Sequence, residues 1–174
     1  MVEPGGIEGL LGGDMEVVVA SADPGDAGVR RELVRMARGA VEEKRDARGG
    51  LIWSLREAAP VASPEEALSR LGERDRLFMG WVEGVAVGFA LVRLDRLADG
   101  SVLGVIDVLY VEPGFREVGV GEALMDRILS WAVDNDCLGI DGLALPGDRH
   151  TKNFFESFGF KARLLVVHRD LVGD

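Results

Sequence analysis

The stretch Arg116-Glu117-Val118-Gly119-Val120-Gly121 is the best placed to do chemistry. Its glycines let a backbone approach a ligand closely. A helix starting there adds unpaired N–H groups and the positive end of its dipole, a combination that suits a pyrophosphate. Two phosphate loops are excluded by residue type. No Gly-Lys-Ser/Thr occurs anywhere, and Leu124 stands where a dinucleotide fingerprint needs its third glycine or alanine. A loop of turn glycines with a purely structural role is the plain alternative.

The second candidate is Asp107, an isolated carboxylate in the apolar run Val102-Leu103-Gly104-Val105-Ile106-Asp107-Val108-Leu109. Burial would raise its pKa toward the range of a general base; a strand-edge aspartate held by hydrogen bonds is the alternative. Strict alternation places it on the face of Leu109 and Val111, with Tyr110 on the other. Cys137, His150 and His168 are too few for a typical structural zinc site, so no metal is expected. Cys137 reads as a buried structural thiol and His150 as a surface residue at a helix start. A lone cysteine also precludes an internal disulfide, which suits a reducing cytoplasm.

The elements that must position these residues follow from periodicity. Residues 1–14 are rich in glycine and acidic, which predicts a flexible arm rather than a signal peptide, and residues 15–174 are expected to form a single domain. Glu16 to Ala20 suits a first strand, and Asp23-Pro24-Gly25-Asp26 turns the chain into an amphipathic helix from Ala27 to about Lys44. Leu51-Ile52-Trp53 lies in a poorly patterned stretch closed by Pro60. Ser63-Pro64-Glu65-Glu66 then predicts a short helix ending near Gly72.

A hairpin follows, Leu77 to Val82 and Val85 to Leu94 around Glu83-Gly84, then a third antiparallel strand, Val102 to Val111, stopped by Pro113. Beyond Gly119 the period becomes helical. A short strand (Gly139 to Leu145), a helix (Asp148 to Phe158) and a last strand (Phe160 to His168) complete the order. This predicts an α+β domain, a mixed and mostly antiparallel sheet covered by helices. The net charge of −10 argues against nucleic acid and admits a cationic substrate; no apolar run has the roughly 18 residues of a membrane helix.

The glycine stretch and its neighbours resemble the GNAT superfamily of N-acetyltransferases. The family signature Arg/Gln-x-x-Gly-x-Gly/Ala stands intact as Arg116, Gly119 and Gly121. The usual lead-in is present as Leu109-Tyr110-Val111-Glu112-Pro113, and Phe154-Phe155-Glu156-Ser157-Phe158-Gly159-Phe160 is similar to the family's Leu-Tyr-x-x-x-Gly-Phe. The resemblance covers roughly Leu77 to Asp170.

This resemblance implies that acetyl-CoA, or another acyl-CoA, lies in a V-shaped opening between two splayed parallel strands, here Ile106 to Val111 and Gly139 to Leu145. The pyrophosphate would rest on main-chain N–H groups of Val118, Gly119, Val120, Gly121, Glu122 and Ala123. Pantetheine would pair with Leu109 and Val111, and the Leu109 N–H would polarise the thioester carbonyl. Arg116, Arg149 and Lys152 are candidate phosphate partners, provided that Glu117 faces solvent.

The implied acceptor is a small-molecule or protein amine, in a pocket near Trp53 that Glu57, Glu65 and Glu66 would make attractive to a cation; a homodimer is compatible. The implied reaction is direct attack in a ternary complex, with Asp107 aiding deprotonation. The family's usual acid is a tyrosine, and Phe155 stands in its place. The competing reading is a degenerate domain that binds acyl-CoA as a non-catalytic sensor or interaction module.

Overall fold

The computed structural model describes residues 15–63 and 71–171. The arm at 1–14 and most of the helix expected after Ser63 lie outside the described residues. β1 (Val17–Ser21) leads into α1 (Ala27–Lys44), where the Asp26 carboxylate accepts from the Gly28 and Val29 N–H groups at 2.8 and 2.9 Å. Such a cap contributes about 1 kcal/mol and fixes where the helix begins. Two short helices, α2 (Gly50–Leu55) and α3 (Ala59–Ala62), occupy the stretch that lacks a sequence period.

β2 (Asp75–Val82) and β3 (Val85–Arg96) form the hairpin; Glu83 and Gly84 both take positive φ, 48° and 77°, the hand that matches the twist of paired strands. β4 (Val102–Val111) pairs antiparallel with β3, α4 (Val120–Asp134) crosses over, and β5 (Cys137–Gly142) returns parallel to β4. α5 (Arg149–Ser157) follows. The sheet order is β1-β2-β3-β4-β5, and helices cover both faces. On one face Leu33, Met36 and Ala40 of α1 pack against Leu77, Phe89 and Leu91. On the other, Leu124, Met125 and Ile128 of α4 pack against Phe78, Ala90 and Val92.

Two irregularities in β4 position the site. Leu91 pairs with Val108 while Val92 pairs with Ile106, so Asp107 is the extra residue of a β-bulge. Val108 and Tyr110 therefore pack on the α1 side, and Leu109 and Val111 on the α4 side. Asp107 bonds Arg93, two residues beyond Leu91 on the α1 side. This corrects the alternation argument: the bulge moves Asp107 away from the face of Leu109 and onto that of Tyr110.

The second irregularity is the end of the β4–β5 ladder at Ile106 and Gly142, while β4 continues to Val111. The strands part there, so β5 is shorter than the span expected to Leu145.

The expected last strand is absent as a paired element. Phe160 packs on Phe155 with ring centroids 5.1 Å apart, but residues 161–171 are exposed and join no ladder. Composition reports strand preference, whereas a strand needs a partner.

Candidate active site

Where β5 departs, β4 exposes main chain. The Glu112 N–H donates to the Val87 carbonyl at 2.9 Å, across the ladder toward β3. Bond direction alternates along an antiparallel strand, so the N–H groups of Leu109 and Val111 point the other way, into the opening. The Val111 carbonyl already accepts from Arg116 Nε at 2.9 Å.

The turn beyond β4 is built around glycine. Gly119 is the N-terminal cap of α4 with φ 89°, a conformation costly to any residue with a Cβ. A Cβ on Gly121 would come 3.3 Å from the Phe154 ring, so this glycine lets the start of α4 approach α5. The Ala123 N–H is taken by the Gly119 carbonyl at 3.0 Å. The first-turn amides of Val120, Gly121 and Glu122 have no helical acceptor and, with Val118 and Gly119 before them, form the donor cluster. Ala123, expected among the donors, is already paired. Glu117 is exposed, which satisfies the condition set for it.

Arg116 is turned back toward α1. Its guanidinium pairs with Glu43 and lies 5.8 Å from the Tyr110 ring centroid. Tyr110 in turn covers Gly39, where a Cβ would meet its hydroxyl at 2.6 Å. Tyr110 is thereby pinned, and burial raises its phenol above the ordinary value, so its contribution is packing.

A narrow cleft of about 40 Å³ joins Asp107 and Leu109 of β4 to Trp53, Lys44, Asp148 and Phe155. Asp107 is 8% exposed and accepts from Arg93 Nε at 2.9 Å. Burial pushes its carboxyl up to about 6; Arg93 opposes the rise, and the carboxylates of Asp95 and Asp75 add to it. Arg93 also pairs with Asp95, which divides its pull.

Asp148 behaves in the opposite way. Burial works against its charge, but Lys44 and Thr151 hold it below the usual carboxylate range. It caps α5, accepting from the Thr151 N–H at 3.0 Å and hydroxyl at 2.7 Å, and pairs with Lys44. The cleft thus holds one carboxyl poised to titrate and one fixed as an anion.

Phe155 is buried at the cleft wall, its ring so close over Gly142 that a Cβ there would collide with it. No hydroxyl stands at this position. Trp53, expected as a pocket or core residue, is both: it packs against the α1 cluster and lines the cleft. The other candidates lie apart from this cleft. His150 is exposed, Arg149 is exposed, and Lys152 pairs with Glu156 at 2.6 Å. Glu57 pairs with its neighbour Arg56, and Glu65 and Glu66 fall outside the described residues. Burial and Asp136 raise the Cys137 thiol pKa, leaving it a poor nucleophile. Among the described residues, no group of three or more His, Cys, Asp or Glu could hold a metal.

Arg93, Lys44 and Asp148 were not legible as site residues. The only sequence signals were an arginine at the end of an apolar strand and an aspartate at a helix start.

A mixed sheet that splays beside a glycine-capped helix defines an acetyltransferase frame. Residues 44–160 match the model of the Acetyltransferase (GNAT) family, and the chain belongs to that family. It is 27% identical over 115 residues to aminoglycoside N(6')-acetyltransferase type 1 of Salmonella typhimurium, covering 63% of this chain and 77% of the relative.

Solved structures share the fold. An aminoglycoside acetyltransferase from an uncultured soil metagenomic sample, in complex with sisomicin, has a TM-score of 0.66 at 15% identity, covering 91% of this chain and 97% of that one. Aminoglycoside N-acetyltransferase AAC(6')-Iy in complex with CoA has a TM-score of 0.63 at 17% identity, covering 94% and 100%. A ribosomal-protein-alanine N-acetyltransferase from Brucella melitensis has 0.65 at 16%, covering 90% and 99%.

Proposed function

We propose that this protein transfers an acetyl group from acetyl-CoA to a primary amine of a cationic small molecule, by direct attack in a ternary complex. The observation that carries this reading is the cleft in which a buried carboxyl titrating near 6 lies beside β4 main chain that β5 no longer pairs. When bound, acetyl-CoA supplies the thioester whose C–S bond breaks as the amine forms its C–N bond.

The chain's own residues supply the rest. The amides from Val118 to Glu122 cradle pyrophosphate, and Leu109 and Val111 hold pantetheine as an added strand does. The Leu109 N–H would polarise the thioester carbonyl of a bound acetyl-CoA and would contribute about 2.7–4 kcal/mol if it equals oxyanion donors measured elsewhere. Arg116 acts through position, holding the Val111 carbonyl and the last turn of α1. Asp107, ionised above about pH 6, takes the proton that an ammonium must lose before it can attack.

A small cationic acceptor is supported by the net charge of −10 and by relatives named for aminoglycoside acetylation. A protein amine is the other acceptor class. A chain with one cysteine suits a reducing compartment such as the cytoplasm.

The second reading, an acyl-CoA sensor without turnover, is favoured by Phe155, which offers the departing thiolate no proton. Calorimetry with CoA and acetyl-CoA, then thiol release against a panel of amines that includes aminoglycosides, separates the two. The expected result is micromolar binding and turnover on a cationic amine. Binding without turnover selects the sensor, and no binding removes both.

A further inference from the structure

The two carboxylate oxygens of Asp107 have different surroundings. Oδ2 accepts from Arg93 Nε at 2.9 Å. Oδ1 has no hydrogen-bond partner among the described residues. No unpartnered side-chain oxygen there is sealed from solvent, so Oδ1 stays accessible, and Asp107 lines the cleft. The strand itself does not set this division. As the extra residue of the bulge, Asp107 lacks the cross-strand partner that fixes the direction of an ordinary β side chain.

Arg93 supplies what the bulge removes. While its Nε holds Asp107, its Nη1 donates to Asp95, two residues further along β3 and on the same face. A planar guanidinium presents its donors at fixed angles, so the grip of Asp95 on one edge sets the direction in which Nε points. Asp75 is the register partner of Arg93 on β2, but its Oδ2 accepts from the Gly72 N–H at 2.8 Å and it forms no ion pair with Arg93. Across the cleft, Lys44 of α1 and Asp148 before α5 pair with each other. Among the described residues, Arg93 is the only cation bonded to Asp107.

We propose that Arg93 is the positioning residue of the cleft: anchored by Asp95, it holds one oxygen of Asp107 and leaves the other turned toward the attacking amine. What the free oxygen meets rests on the acetyl-transfer reading; the holding does not. Arg93 favours the ionised carboxylate, whereas the negative charges of Asp95 and Asp75 oppose it. Loss of Arg93 and loss of Asp95 therefore move the titration of Asp107 in opposite directions. A residue that only stiffened the sheet would produce no such pair of shifts.

NMR of the Asp107 carboxyl carbon, assigned by its loss in Asp107→Asn, reads the titration without any substrate. Arg93→Met is expected to raise the midpoint by about one unit or more, and Asp95→Asn to lower it from about 6. An unchanged midpoint in either variant, or shifts of the same sign, overturns the proposal. Asp95 is 42% exposed, so Asp95→Asn keeps the test open should Arg93→Met fold poorly. Thiol release reads the positioning. In Arg93→Met, kcat on the high-pH plateau should fall about 100-fold, the cost of about 1 Å of misplacement, with KM little changed. Arg93→Lys keeps the charge but not the fork, so it should return the midpoint toward about 6 and leave kcat low. Full kcat in Arg93→Lys, or in Arg93→Met, overturns the proposal and leaves acetyl transfer standing. A wild type that releases no thiol with any amine removes the acetyl-transfer reading instead, and the carboxyl titration then decides alone whether Arg93 and Asp95 hold Asp107.

Discussion

Replacing Asp107 with Asn tests the cleft most directly, because stability and catalysis should move in opposite directions. The carboxyl titrates near 6 in the folded protein against an ordinary value of 3.8. The unfolded chain therefore releases this proton first. Wild-type stability falls as pH rises from about 4 to about 6, and above that window the ionised, buried carboxylate costs about 3 kcal/mol. Asparagine keeps the shape and still accepts from Arg93, but it leaves a half-exposed guanidinium with less charge to pair, which offsets part of the gain.

The expected net gain is about 1–2 kcal/mol at about pH 8, shrinking to nothing near pH 4. At roughly 2–4 °C per kcal/mol for a chain of this size, thermal melts resolve it. Turnover should fall about 100-fold or more, and kcat/KM should lose the limb that rises through pH 6. A variant no more stable than wild type at high pH, or one with full turnover, refutes the reasoning.

Other perturbations reach the remaining parts of the site. Phe155→Tyr restores a hydroxyl at the cleft wall and should raise kcat about 100-fold, the low end of acid catalysis, in the thiol-release assay; an unchanged kcat with CoA binding intact argues against a missing acid. Gly119→Ala forces a Cβ into φ 89°, so it should cost about 1–2 kcal/mol in denaturant melts and weaken CoA binding about tenfold by calorimetry. Lys44→Met removes the partner that holds Asp148 ionised; Asp148 should then titrate closer to the ordinary carboxylate value, and the KM for a cationic acceptor should change more than kcat.

What was legible in the sequence was local. Asp26 and Asp148 announce their helices because a cap acts within three residues, and Glu83-Gly84 announces the hairpin because the turn fixes its own φ values. The donor turn at Gly119 is compact for the same reason. Asp107 was legible as an odd carboxylate, but its facing was not, because a bulge is a property of the register between β3 and β4. Lys44 and Asp148 meet across 104 positions, a contact that no period or spacing encodes. The run at Leu164 to Val167 shows the same limit from the other side: propensity was visible, and the partner was not.

The last turn of α1 carries two neighbours that reach in different directions. Glu43 holds Arg116 at the donor turn, and Lys44 holds Asp148 at the cleft. One helical turn therefore ties the donor turn and the cleft to the same stretch of backbone. On the proposed function, a shift of α1 that makes room for an acceptor would also move the amides that would face the pyrophosphate. Two affinities governed by one displacement are linked reciprocally, so on that reading each substrate would change the affinity for the other by the same factor.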